Sequence, residues 1–202
     1  MKYSITKTYP NIINVYLYKN EKIMLNPDNI FSLTNLVMRY ETNSNNKFST
    51  LKKVIKGNKV LHTYLYNTTD HEGLVQIVSA KGYNNIGYFD IDGQYSLNAN
   101  RLIGCTEHIE ILEENRKLDK PMIINGNGTI FINCFGKIII SDTSKNNNGI
   151  MIQKKSLIGF KEGSQYERFN PYEGLTSTMS NVDIIFYKLL SGVFILDCKI
   201  EN

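Results

Sequence analysis

The stretch Asn125–Ser141 limits this chain to a β fold more than any other. It reads Asn-Gly-Asn-Gly-Thr-Ile-Phe-Ile-Asn-Cys-Phe-Gly-Lys-Ile-Ile-Ile-Ser. Thr129–Ile132 and Lys137–Ile140 are β-branched and aromatic runs, and Gly136 parts them. Side chains branched at Cβ are stiff at χ1 and suit a pleated surface, so each run reads as a buried strand and Gly136 as the turn between them. Runs of the same kind recur along the chain. Ile12–Tyr18 alternates, Ile23–Leu25 follows a Lys-Asn-Glu-Lys turn, and Phe31–Thr42 is extended. Val60–Tyr66, Leu74–Val78, Tyr88–Ile91, Tyr95–Leu97, Arg101–Ile103 and His108–Leu112 continue the pattern. Ile150–Ile152, Ser156–Phe160, Val182–Tyr187 and Val193–Cys198 complete it. Asp92-Gly93 reads as a hairpin dipeptide, because both residues tolerate positive φ. Phe48–Lys56 is the best helix candidate, through the roughly helical spacing of Phe48, Leu51, Val54 and Ile55, and it is short enough to be read equally as an irregular connection.

Some of these signals repeat at a fixed interval. Gly73 and Gly128 precede similar strands and lie 55 residues apart. Leu102-Ile103-Gly104 and Leu157-Ile158-Gly159 have the same separation, and each follows a polar turn. A set of strands that cannot bury its apolar face alone gains a core by stacking on its copies. The expectation is one all-β domain over residues 1–202, a jelly roll, double-stranded β-helix or sandwich. It would be built from about three pseudo-repeats, roughly 1–57, 58–115 and 121–202. Val75, Ile77, Leu102, Ile130, Ile132, Ile138, Ile140 and Leu157 are expected to line its core. The uncharged run Ile12–Tyr16 and the run Val193–Cys198 are expected to be strand edges that invite a second copy of the chain.

Residues that could carry chemistry are few and scattered. A metal-dependent jelly roll needs a His-x-His pair with further ligands on neighbouring strands. His62, His71 and His108 do not stand at that spacing, and His108-Ile109-Glu110 reads as solvent-facing alternation. Cys105, Cys134 and Cys198 form no C-x-x-C pair and read as reduced cysteines packed as small hydrophobes. Gly126-Asn127-Gly128 lacks the Lys-Ser/Thr of a phosphate loop and leads into a strand, so it reads as a structural turn. Asp90-Ile91-Asp92-Gly93 lacks the closing Glu of a calcium loop. No cofactor, metal or catalytic residue is expected, and the chain is read as a non-enzyme. A cupin-like metalloenzyme is disfavoured by the histidine spacing.

The net charge of +4 comes from scattered lysines. Lys52, Lys53, Lys56 and Lys59 are the densest basic group, with Phe48 the nearest aromatic, and they read as a solvated face. No apolar run approaches the ~20 residues of a membrane span. The N-terminal residues carry no apolar or arginine-rich targeting pattern, so the cytoplasm is the expected compartment.

The order of these segments resembles one family. Glu72–Ile77, Gly87–Gly93, Tyr95–Cys105, Gly126–Ile132, Phe135–Ile138 and Leu157–Phe160 are similar to passages of the altered-inheritance-of-mitochondria (twenty-four) family. Its bacterial members carry the fold called TRAP-like, after the tryptophan RNA-binding attenuation protein. The chain departs from the family pattern in its last third, where Tyr172–Leu175 matches a Gly-Glu-Gly passage only in part. The resemblance implies a TRAP-like β sandwich or double-stranded β-helix without known catalytic residues. A non-enzymatic binding or assembly module, a homo-oligomer, is the leading expectation. RNA binding is the alternative the fold name suggests, though fold alone does not carry function.

Overall fold

The computed structural model describes residues 2–5, 12–42, 61–113, 121–145, 149–169 and 185–198. Among them are seventeen strands, three single-turn 3-10 helices and no α-helix. The first part of the chain forms β1 (Lys2–Ile5), β2 (Ile12–Leu17), β3 (Lys22–Leu25), η1 (Pro27–Asn29), β4 (Ile30–Thr34) and β5 (Val37–Thr42). The middle forms β6 (Leu61–Tyr66), β7 (Gly73–Val78), β8 (Asn85–Leu97), η2 (Ala99–Arg101), β9 (Leu102–Thr106), β10 (Ile109–Glu113) and β11 (Met122–Cys134). The last part forms β12 (Lys137–Asp142), β13 (Ile150–Gln153), η3 (Lys154–Ser156), β14 (Leu157–Lys161), β15 (Gln165–Phe169), β16 (Phe186–Ser191) and β17 (Val193–Cys198). The Phe48–Lys56 segment and the lysines at 52, 53, 56 and 59 lie outside the described residues.

The strands make three antiparallel sheets. A ten-stranded sheet runs β12-β17-β14-β8-β11-β9-β3-β6-β5, with β10 also on β11. A four-stranded sheet, β1-β2-β7-β4, packs on one face of it, and β13-β16-β15 forms a third. The all-β, sandwich-like architecture expected from the sequence is the one observed. Between the first two sheets, Ile13, Val15, Leu17, Val75 and Ile77 meet Ile23, Leu25, Leu65, Ile103 and Phe131. The period-2 burial of β2 is the direct imprint of its alternating sequence, and β7 buries every second residue beside it although Leu74 and Val78 on its other face are apolar too.

The second core lies on the other face of the large sheet. Phe89, Ile91, Tyr95 and Leu97 of β8 share it with Met122, Ile124, Ile130 and Ile132 of β11. Every member belongs to that same sheet, so the sheet must curl over its own face to bury them. The curl is set by glycines. Gly93 pairs directly with Gly126 in the thirteen-residue ladder of β8 and β11, and both have positive φ, +91° and +141°. A Cβ on Gly126 would stand 2.0 Å from the His108 carbonyl oxygen. Asp92-Gly93 and Gly126-Asn127-Gly128 are therefore not chain reversals, as their dipeptides suggest, but a bend inside two long paired strands.

Other expectations need correction. Gly136 does part β11 from β12, but the two strands do not pair with each other; β12 pairs β17 instead. Its residues Ile139 and Ile140 are exposed, 42% and 53%, and Ile138 is half-buried, because β12 is the last strand of its sheet. Leu102 and Leu157 are also half-buried, Leu102 against the second core and Leu157 against a third cluster of Leu189, Phe194 and Leu196, while Ile103 and Ile158, one position on, are fully buried on the opposite faces of their strands. Val75, Ile77, Ile130 and Ile132 are core residues as expected. Both Leu-Ile-Gly triplets follow a 3-10 turn, η2 and η3. The runs 12–18 and 193–198 are not edges: β2 lies between β1 and β7, and β17 between β12 and β14. Phe31–Thr42 is two strands in different sheets, broken at Asn35, which has φ +55°.

Candidate functional site

The most concentrated polar chemistry in the fold is an ion pair that the sequence pattern did not single out. Asn98 opens η2 by accepting from the Asn100 amide, and the turn delivers Arg101 into the interior. Arg101 and Asp197 are 5% and 4% exposed. The Arg101 guanidinium donates to Asp197 at 2.6 Å, to the Asn133 carbonyl at 3.3 Å and to the Lys155 carbonyl at 3.0 Å. It also lies 5.2 Å from the Tyr83 ring centre and 4.8 Å from that of Phe135. Asp197 accepts two further bonds, from the Phe135 and Gly136 amides, each at 2.9 Å. These bonds explain why the Gly136 turn leads β12 to β17. Both carboxylate oxygens are engaged, so the pair is built as a clamp joining η2, η3, the Gly136 turn and β17. A cavity of about 550 Å³ adjoins it, lined by Phe135, Ile152, Lys155, Leu196, Asp197 and Cys198 among others.

A second cluster lies on β3, β5 and β6. Lys22 stands over the Tyr64 and Tyr66 rings, 5.2 and 5.6 Å from their centres, and Arg39 stands 5.3 Å from that of Tyr66. The Tyr66 hydroxyl donates to the Glu41 carboxylate. Burial, and then that bond, raises the Tyr66 phenol. Burial pushes the Tyr64 phenol up to about 12. Basic and aromatic side chains thus alternate on one face here, away from the lysine-rich segment the sequence pointed to.

The third feature is apolar. The sandwich between the four-stranded and ten-stranded sheets ends at their edge strands, β4 and β5. Leu33 pairs with Val75, and Met38 with Leu65, two residues of the interlayer core. Directly opposed residues share a sheet face, so Leu33, Met38 and Tyr40 point into the interlayer side. Yet they are 36%, 37% and 64% exposed. Phe31, extruded where the β4–β7 register shifts, is 67% exposed. Among the described residues nothing closes this end of the core.

The residues weighed from sequence are not brought together. His62 is buried while His71, His108 and Glu110 are exposed, and no group of three or more potential metal ligands forms among the described residues. Cys105 and Cys134 are buried, Cys198 is half-buried, and all three are free thiols. Burial pushes the Cys105 thiol up to about 12, and burial together with the Asp197 carboxylate does the same for Cys134.

Residues 3–190 match the family described as AIM24: Mitochondrial biogenesis AIM24. No curated protein matches the chain. Among solved structures, the crystal structure of protein SPYM3_0169 from Streptococcus pyogenes superposes with a TM-score of 0.69 at 13% identity. The match covers 98% of this chain and 93% of that one, and it establishes a common fold. No described helix is long and apolar enough to cross a membrane.

Proposed function

This chain belongs to the AIM24 family, and from that premise we propose that it is a non-enzymatic assembly module of TRAP-like type, which works by associating with copies of itself. One observation carries the reading. Among the described residues, Phe31, Leu33, Met38 and Tyr40 leave one end of the interlayer core open to water along two strand edges that no described strand pairs. Apolar residues that face a core gain about 25 cal/mol for each Å² removed from water, so covering this end favours association. Pro and Lys, the usual guards of an edge, are absent from both β4 and β5. The working compartment in this proposal is the cytoplasm, a reading supported by three thiols that stay free.

Light scattering of the full chain at micromolar concentration tests it. The expected mass is a whole multiple of 23.2 kDa that falls on dilution. A mass of one chain at every concentration would rule the proposal out.

A further inference from the structure

We propose that the β5 edge docks against the β5 edge of a second copy, in one antiparallel register about a two-fold axis through Tyr40. This rests on the assembly reading and adds the surface, the symmetry and the register. The argument is one of parity. A two-fold axis perpendicular to a sheet joins two copies of one strand antiparallel and keeps each side chain on its own face. Residues that oppose each other must then differ by an even number of positions, and one residue opposes itself. Centred on Tyr40, this rule sets Arg39 opposite Glu41 of the second copy, and Glu41 opposite its Arg39. Opposite charges directly across a strand pair are favourable, and like charges are not. Tyr40 meets Tyr40, a cross-strand aromatic pair at the axis.

The other described edges do not offer this. In β12, Lys137 and Asp142 are five positions apart, so no self-pairing of the strand can oppose them. In β15, centring on Glu167 or Arg168 sets like charges against each other. The β4 and β13 edges carry no charge. Among the described strands, β5 alone combines an outer side that no described strand pairs, exposed apolar residues and self-complementary charge. Arg39 and Glu41 already share a face with Tyr66, which holds both in place: Arg39 lies against its ring, and Glu41 accepts its hydroxyl. The pairing also brings the open core end of each copy, with Met38 and Tyr40, up against the other.

Charge reversal tests the register. Arg39→Glu alone leaves acids facing acids, and Glu41→Arg alone leaves cations facing cations. Each single variant is expected to scatter light as one chain at a concentration where the native protein is a dimer. Arg39→Glu/Glu41→Arg restores opposite pairs and is expected to recover the dimer. Circular dichroism confirms that each variant is folded. A native dimer that both single variants leave intact overturns the β5 docking while the assembly reading stands. A native protein that is monomeric throughout overturns both.

Discussion

At the scale of single residues, the Arg101–Asp197 pair is a costly place to cut the molecule. Removing one member of a buried pair leaves the other charged and unpartnered, which costs about 3–5 kcal/mol. Arg101→Ala should lower the unfolding free energy by that amount, read as a lower urea midpoint at unchanged slope, and it should also loosen η3, whose Lys155 carbonyl loses its donor. An unchanged midpoint would show that Asp197 is held by the Phe135 and Gly136 amides alone. Neither residue was legible in the sequence. Arg101 stands in a polar turn and Asp197 in an apolar strand, 96 positions apart, and only the fold brings them together. Gly126 makes the opposite case. Its glycine is plain in the sequence, but its reason, a backbone oxygen 2.0 Å from where a Cβ would sit, is tertiary. Gly126→Ala is expected to cost at least about 2 kcal/mol, read as a lower thermal midpoint.

At the scale of elements, strand type was legible and strand environment was not. Period-2 alternation marks β2 as half-buried, and its observed burial follows it residue by residue. The Ile138–Ile140 run has the same β propensity as Ile130–Ile132 but lies at a sheet edge, a placement that depends on the partner strand and so on distant sequence. β15 carries a weak strand signal because Gln165, Glu167 and Arg168 outnumber its two aromatic residues and every position is exposed. The glycines at 93 and 126 were visible as positive-φ sites, but whether such a site reverses or bends the chain depends on what it pairs with. A matched pair of substitutions checks the distinction. Ile130→Ala empties a fully buried site and should cost about 2–5 kcal/mol. Ile140→Ala, at 53% exposure, should stay within about 0.5 kcal/mol. Equal losses at the two sites would mean that β12 is covered in solution.

At the scale of the whole molecule, pH and association are the two external handles. The Cys105 and Cys134 thiols rise from 9.0 to about 12, and the Tyr64 phenol from 10.0 to about 12. A raised pKa means the folded state keeps its proton after the unfolded state has lost it. The stability tied to these groups is therefore complete below pH 9 and is lost as pH climbs from 9 towards 12. The urea midpoint should be flat around neutrality and fall steadily across that alkaline window; a midpoint that held constant there would mean the three groups are not shielded from water. Association is tested most directly by placing a cysteine on the proposed axis. Directly opposed Cα atoms lie about 4.5–5.5 Å apart. A disulfide spans about 4.4–6.8 Å. Tyr40→Cys, made in a Cys198→Ser chain to remove the half-exposed thiol, should oxidise to a covalent species of twice 23.2 kDa on a non-reducing gel. Val37→Cys in the same background should not, because its two copies would be about 20 Å apart along the paired strands. A Tyr40→Cys chain that stays single under oxidation, or a Val37→Cys chain that cross-links equally well, would contradict assembly through β5.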